Sequence, residues 1–292
     1  MHAIMIIAHN QFELLEKLIL ALDDERNDIF VHIDAKVSDF DFEYFKTLTK
    51  FSEVFFTDER VNVTWGDFSQ VKTEITLLKT AYAHNDKTNP YTYYHLISGV
   101  DLPIKSNDYI HSFFEDNDGK EFVHYTDNTV SESSLSRLKY YHFFRKKRNS
   151  FTKILSQSIY RIEKIIRVDR LKNNGLLVQK GCNWFSITGD FAEHIVKNID
   201  KYENSFKYSY CGDEVFIQTL LESSKYKYNL YMPNCNNDHT ACMRLIDWER
   251  GNPYVWRKEN YDEIMASPCI FARKFDINTD SEIIDMVLDS IK

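Results

Sequence analysis

Two adjacent carboxylates, Asp213 and Glu214, stand directly before the apolar run 215–221, whose composition predicts a helix. A carboxylate held at a helix start can act as a general base that removes a proton from an incoming hydroxyl. Acidic side chains also favour the positive end of the helix dipole, so simple N-capping explains the pair equally well at this stage.

Cations occur near the other end of the chain. Arg244 is one, and Arg273 and Lys274 are adjacent within the otherwise apolar segment 267–276. Charged side chains in apolar surroundings are costly unless they meet an anion. Fixed cations can neutralise the negative charge that develops on a departing diphosphate. In other enzymes a metal ion neutralises this charge. Together with the carboxylates, they predict transfer of a group from a nucleoside diphosphate.

The elements that must position these residues begin at the N-terminus. Residues 3–8 and 29–33 are continuous apolar runs typical of buried strands, and residues 12–22 have helical apolar spacing. Strand, helix, strand in this order predicts a parallel sheet and an α/β fold. Further strands are predicted at 53–57, 91–98 and 183–187, and further helices at 69–83 and 190–197.

Polar residues follow three of the predicted strands. His9 and Asn10 follow the first strand, Asp34 follows the second, and Asp101 follows the strand at 91–98. Ligands of parallel sheets gather at the carboxyl ends of the strands, so these residues are predicted to line a site. This arrangement favours an enzyme over a binding module.

Several common chemistries lack their motifs. The sequence has no glycine-rich phosphate loop, no GxSxG, no HExxH and no CxxC. Asp39-Phe40-Asp41 matches the Asp-x-Asp that holds a divalent metal in many sugar-nucleotide transferases, but it lies in a polar stretch and is interpreted as a chance match. We therefore expect no metal and no other cofactor.

Composition narrows the partners. The 292 residues carry a net charge of −8, which argues against general nucleic-acid binding. The five cysteines are predicted to be reduced thiols, and neither a signal peptide nor a membrane span is predicted, so we expect a cytoplasmic protein. Aromatic residues make up 15% of the chain; most are interpreted as core, although such rings also stack on sugars.

The segment 127–172 differs from the rest in charge. Between Arg137 and Lys172 it contains twelve Lys or Arg residues and only two acidic residues. Apolar residues from Phe151 to Val168 are spaced as one helix face, which predicts a basic amphipathic helix inserted in a single domain that spans residues 1–292. It is either a solvated surface helix or a contact with an anionic membrane or an acidic glycan.

Eight blocks along the chain resemble the core-2/I-branching β-1,6-N-acetylglucosaminyltransferase and peptide-O-xylosyltransferase family, glycosyltransferase family 14. The basic segment is the part that does not align. The blocks, in chain order, are IIAH at 6–9, VHID at 31–34, WG at 65–66 with Val71, SGVDLPI at 98–104, GCNWFSI at 181–187, DEVF at 213–216, RLIDW at 244–248 and FARKFD at 271–276.

The resemblance implies a GT-A-like fold, a mostly parallel sheet flanked by helices, and an inverting, metal-independent transfer from a UDP-sugar. It also implies roles for residues within the blocks. Glu214 would be the catalytic base, and the other implied contacts are His9, Asp34, Trp65, Asp101, Arg244, Arg273 and Lys274 for the donor, and Trp184, Asp213 and Trp248 for the acceptor.

Several functions remain open at this stage. We expect a glycosyltransferase that moves GlcNAc, xylose or a similar sugar to a glycan hydroxyl; the resemblance to anchored animal enzymes, without their anchor, suggests bacterial surface polysaccharide synthesis on soluble or lipid-linked acceptors. The basic segment would then contact the inner face of the membrane. The alternatives are a non-catalytic glycan- or membrane-binding protein on the same fold, and a metal-dependent transferase of another family. For Trp184, a place in the core is the competing interpretation.

Overall fold

The computed structural model of the protein describes residues 1–127, 129–146, 149–234 and 237–292. Its central sheet has six strands in the order β3-β2-β1-β4-β7-β6. The strands of this sheet are β1 (His2–Ala8), β2 (Asn27–Ile33), β3 (Val54–Phe56), β4 (Tyr93–Ser98), β6 (Phe122–Val123) and β7 (Phe185–Thr188), and the chain also forms β5 (Asp101–Pro103), β8 (Arg244–Ile246) and β9 (Phe271–Arg273).

The central sheet is mostly parallel, as the sequence predicts. Strand β1 pairs in parallel with β2 and with β4, and β2 pairs in parallel with β3. Strand β7 pairs antiparallel with both β4 and β6. Strands β1 and β2 lie inside the sheet and are covered on both faces. This burial explains why both strands are continuous apolar runs.

Ten helices flank the sheet in the described part of the chain. They are α1 (Phe12–Ala21), α2 (Phe42–Lys46), α3 (Ser69–Ala83), α4 (Asn107–Asp116), α5 (Glu132–Lys139), α6 (Ser150–Ile165), α7 (Gly189–Phe206), α8 (Phe216–Glu222), α9 (Tyr261–Ala266) and α10 (Ser281–Ser290). Short 3₁₀ turns lie at Gly212–Glu214, Lys225–Asn229, His239–Cys242 and Lys258–Asn260.

Two hydrophobic cores lie on opposite faces of the sheet. Ala3 and Met5 of β1 belong to the core that α3, α7 and α8 cover, whereas Ile4 and Ile6 belong to the core under α1, α4 and α10. Alternate residues of a strand point to opposite faces, so one apolar run supplies both cores. These layers confirm the predicted α/β class.

A second, three-stranded sheet joins β5 to two strands from the last fifth of the chain. Strand β9 lies between β5, with which it is antiparallel, and β8, with which it is parallel. Asp101 is directly opposite Arg273 in this sheet, and Arg244 begins the neighbouring strand β8. The three residues are therefore placed by a rigid element.

The basic segment contains two helices, α5 and α6, so it is helical as predicted, and its interpretation as an insertion stays a prediction. Asn149 and Thr152 form a capping box that fixes the start of α6. Lys147 and Arg148 of the basic segment, and Cys235, lie outside the described residues. The other four cysteines are free thiols, as predicted. Among the described residues, we find no helix that is both long and apolar enough to span a bilayer.

Candidate active site

A cleft of about 640 Å³ opens at the carboxyl ends of β1 and β4. This is the edge of the sheet at which α/β proteins bind ligands, and the volume is in the range of small-molecule sites. The cleft brings together residues that are far apart in the sequence. Seven of the predicted site residues line it, namely His9, Trp65, Trp184, Asp213, Glu214, Trp248 and Arg273.

Glu214 lies in the wall of the cleft at the end of the 3₁₀ turn Gly212–Glu214. Its Oε2 accepts a 2.8 Å hydrogen bond from Nη1 of Arg137 and lies 3.6 Å from Nζ of Lys180. The side chain is 35% exposed, so a ligand in the cleft can reach it. The two cations fix the orientation of the carboxylate.

Asp213 is directed into the protein beside Glu214. Its Oδ2 accepts a 2.7 Å hydrogen bond from Nε2 of Gln70, whereas Oδ1 is buried without a partner among the described residues. Burial, and then the charge of Glu214, raise the pKa of Asp213 to about 7. Glu74 on α3 is also buried in the cleft wall, and burial raises its pKa well above the usual range.

Arg273 places a positive charge in the same cleft. Its Nη1 donates a 2.7 Å hydrogen bond to Oδ1 of Asp101 and a second hydrogen bond to Oγ of Ser98. The guanidinium lies 4.5 Å from the centre of the Trp184 ring. Asp101 accepts two further hydrogen bonds, from the backbone N–H and the hydroxyl of Ser98. The Arg273 charge is therefore held in a fixed position at the end of β4.

The three tryptophans of the cleft differ in exposure. Trp184 is 7% exposed beneath the Arg273 guanidinium, so it belongs to the core as well as to the cleft wall. Trp65 is 65% exposed and Trp248 is 49% exposed. Exposed rings at the rim of a polar cleft are suited to stack on sugar faces.

The structure does not place Arg244 in the cleft, which corrects the expectation that it binds the donor. Arg244 is 1% exposed. Its guanidinium donates to the backbone carbonyls of Cys242, Leu96 and Phe185 and to the Ser186 hydroxyl. A buried cation needs such acceptors, so Nη1 and Nη2 of Arg244 tie β8 to β4 and β7, whereas its Nε is buried without a partner among the described residues.

Three other predicted donor contacts also lie outside the cleft lining. Asp101 is 1% exposed and its oxygens are occupied by Ser98 and Arg273, so it positions Arg273 instead of contacting the donor. Asp34 is at the end of β2, where its Oδ1 accepts from the backbone N–H of Lys36. Lys274 is half-buried, with its backbone bonded to Tyr254 and Trp256. Donor binding by Asp34 and Lys274 stays a prediction.

His124, Cys182 and His239 are the one group in the described part of the chain whose ligand atoms, all within 4.8 Å of one another, have metal-site spacing. The two imidazole rings are stacked, with planes 6° apart and centres 4.2 Å apart. A metal lies in the plane of each imidazole that binds it, and parallel stacked rings cannot share such an ion. Nδ1 of His124 also accepts from the Cys182 backbone N–H.

The Asp-x-Asp motif likewise lies away from the cleft. Asp41 is exposed and caps α2 by accepting from the backbone N–H of Tyr44, and Asp39 is exposed in the preceding turn. Neither residue lines the cleft. Interpretation of the motif as a chance match agrees with these positions.

The backbone of Gly181, in the cleft wall, is hydrogen-bonded to the backbone of Glu214. Its backbone N–H donates a 2.9 Å hydrogen bond to the carbonyl of Glu214. A Cβ at this position would lie 1.7 Å from the carbonyl oxygen of His124. Glycine is required here because the two backbones are in direct contact.

Sequence reasoning missed several residues of the cleft. Arg137 belongs to the basic segment, which carried no aligned motif, and its contact with Glu214 is long-range. Lys180 directly precedes the GCNWFSI block at 181–187, and this position could have indicated that Lys180 belongs to the site. Gln70 and Glu74 follow the Trp65-Gly66 block at helical spacing, so a helical wheel of α3 places them on one face.

The chain is similar in sequence to known proteins. The sequence model of the family described as Core-2/I-Branching enzyme matches residues 3–275. Xylosyltransferase 1 of Homo sapiens is 23% identical over 301 residues, covering 97% of this chain and 29% of the relative. Xylosyltransferase 2 of Mus musculus is 22% identical over 304 residues, covering 98% of this chain and 33% of the relative.

This chain thus spans about a third of the length of the curated relatives that it matches. The family match covers both sheets and the whole of the cleft, and it confirms the GT-A-like α/β class. The chain belongs to the Core-2/I-Branching enzyme family of glycosyltransferases.

Proposed function

We propose that this chain catalyses an inverting, metal-independent transfer of a sugar from a UDP-sugar to a hydroxyl of a glycan acceptor. The observation that carries the proposal is the position of Glu214, a partly exposed carboxylate held by Arg137 and Lys180 in the wall of a cleft that also contains Arg273. This cleft offers a base on one side and a fixed cation for a diphosphate.

In the proposed reaction the acceptor oxygen attacks the anomeric carbon as Glu214 takes the hydroxyl proton. The bond between that carbon and the UDP oxygen breaks, and the electron pair leaves with UDP. Arg273 stabilises the growing charge of the diphosphate, because its position is already fixed by Asp101 and Ser98. Trp65 and Trp248 at the rim would stack on the sugars.

The donor sugar and the biological setting are parts of the proposal. Since the relatives are named xylosyltransferases, UDP-xylose is the first donor to test, followed by UDP-GlcNAc and UDP-glucuronate. The proposed acceptor is a soluble or lipid-linked glycan of a bacterial surface polysaccharide, used at the inner face of the membrane.

The test is release of UDP from this donor panel, with and without glycan acceptors. Glu214→Gln should fold, bind UDP as the wild type does and lose transfer by about 10²–10⁴-fold, the usual contribution of a general base. The matched control is Glu249→Gln, which changes an exposed glutamate outside the cleft lining and should keep full activity. Full activity of Glu214→Gln would remove Glu214 from this role.

A chelator distinguishes the proposed metal-independent mechanism from a metal-dependent transfer. Treatment with EDTA should leave UDP release unchanged, because the proposed charge stabilisation comes from Arg273. Loss of activity with EDTA and recovery with Mn²⁺ would contradict the proposal. Tight glycan binding with no turnover of any donor would favour a non-catalytic binding protein instead.

A further inference from the structure

Helix α6 presents a stripe of four apolar side chains to solvent. Phe151 is 72% exposed, Ile154 is 64%, Ile162 is 55% and Ile165 is 78%. With exposed Ser158 between them, these positions are separated by three or four residues, so they lie on one face of the helix. Exposed apolar residues gathered in this way mark an interaction surface, whereas single ones do not.

The opposite side of α6 attaches the helix to the protein. Glu163 is the only residue of α6 that is fully buried, and its carboxylate accepts from the backbone N–H of Tyr141. The ring of Tyr160 packs edge-on against Tyr140. The stripe is therefore left uncovered by the packing that holds the helix.

Cations lie along one side of α6. Lys153, Arg161 and Lys164 are exposed. At 3.6 residues per turn, Arg161 lies about 60° from the centre of the stripe, and Lys164 and Lys153 lie about 120° and about 140° from it in the same direction. Glu163 is the only acidic residue of α6, and it is buried. The exposed surface of the helix is thus apolar and positively charged, the combination of helices that lie in an anionic membrane surface.

The segment before α6 contacts the active site. The Arg145 guanidinium lies 4.0 Å from the centre of the Tyr210 ring, and its Nε donates to the carbonyl of Gly66. Tyr210 also contacts Trp65 at the rim of the cleft. The basic segment therefore contacts one rim of the cleft. Another residue of this segment, Arg137, donates a hydrogen bond to Glu214 in the cleft wall.

We propose that α6 is a membrane-docking helix that inserts the stripe of Phe151, Ile154, Ile162 and Ile165 into the headgroup region of an anionic lipid surface. Lys153, Arg161 and Lys164 contact the lipid phosphates. The Trp65 rim of the cleft then lies near the membrane, so the acceptor class is a glycan carried on a lipid. The acceptor part of this inference rests on the proposed function; the lipid contact does not.

The positive charge of α6 favours an anionic lipid surface over other binding partners. A second copy of the chain docked through the same helix would bring the cations of one α6 against those of the other, and a soluble acidic glycan would leave the apolar side chains in water. An anionic bilayer matches both the apolar residues and the cations.

The test measures sedimentation of the full chain with vesicles. Wild-type protein should bind vesicles of equal phosphatidylglycerol and phosphatidylcholine, bind phosphatidylcholine vesicles at least tenfold less, and lose most of its binding at high salt. The double variant Ile162→Ser/Ile165→Ser should bind anionic vesicles at least tenfold less than the wild type. The matched control, Phe51→Ser, changes an exposed apolar residue outside α6 and should bind as the wild type does.

Equal binding by the wild type and the double variant would overturn the inference, as would absence of vesicle binding. A wild-type dimer that the double substitution converts to a monomer would make the stripe a subunit interface and would overturn it too. Vesicle binding without UDP release from any donor would retain the lipid contact and contradict the proposed function. Release of UDP without vesicle binding would support the proposed function and overturn the lipid contact.

Discussion

Nη1 of Arg137 lies 2.8 Å from Oε2 of Glu214 and also donates to the carbonyl of Cys211. The basic segment thus supplies one of the two cations that orient the proposed catalytic carboxylate. This contact joins a residue of α5 to the turn that precedes α8, and it makes the basic segment part of the candidate active site.

Arg137 should therefore affect the rate more than donor affinity. We expect Arg137→Ala to lower the rate of transfer by roughly tenfold, about 1.4 kcal/mol, with little change in UDP affinity. Arg137→Lys should restore part of the rate because it keeps the charge without the paired donors of the guanidinium. Initial rates at saturating donor, with UDP binding measured by calorimetry, check this. A weaker affinity for UDP at unchanged rate would contradict it.

Asp101 should act through Arg273. We expect both Asp101→Asn and Arg273→Lys to raise the dissociation constant of UDP by roughly tenfold, since the first removes the charge of the carboxylate that fixes the guanidinium and the second replaces the guanidinium with an ammonium group. Calorimetric titration with UDP measures the effect. The matched control is Asp108→Asn, which breaks the exposed ion pair of Arg26 and should leave UDP binding unchanged. An unaltered UDP affinity in Asp101→Asn would remove Asp101 from the positioning role.

The stability of the protein should depend on pH through Asp213. The folded chain keeps the Asp213 proton up to about pH 7, whereas the unfolded chain releases it near 3.8. Unfolding therefore releases a proton between these values, so the free energy of unfolding falls as pH rises, by at most about 1.4 kcal/mol per pH unit. Glu74 contributes in the same direction. Denaturant unfolding from pH 4 to pH 8 should show a smaller decline for Asp213→Asn; an identical decline would contradict the assignment.

Arg244 should matter for stability and little for the donor. Arg244→Met leaves the buried carbonyls of Cys242, Leu96 and Phe185 without their shared donor, and we expect a loss of about 3 kcal/mol in the free energy of unfolding. Denaturant unfolding measures this loss. UDP affinity of the folded fraction should stay within a few-fold of the wild type, and a loss of UDP binding without loss of stability would return Arg244 to the donor site.

The sequence predicted the elements well where periodicity was strong. The bounds of α3 agree with the predicted helix at 69–83, and α1, β1 and β2 agree within a few residues. Apolar runs and helical spacing are local properties, so they can be recognised without the fold. The predicted strand ends also gathered at one edge of the sheet, because parallel strands align their carboxyl ends.

The site was harder to predict because charge alone does not say where a side chain points. Arg244 and Arg273 are both cations on adjacent strands, yet one is buried against carbonyls and the other faces the cleft. Asp213 and Glu214 are neighbours in sequence with opposite environments. Arg137 reaches Glu214 only after the chain folds back, and no pattern in the basic segment indicated that contact.

The close approach of Gly181 to His124 sets limits on engineering this cleft. Any side chain at residue 181 would separate two backbones and displace the carbonyl of Glu214 that Gly181 holds. Libraries that seek a new donor or acceptor should therefore keep this position constant and vary Trp65 and Trp248, whose exposed rings can change size without moving the main chain that carries Glu214.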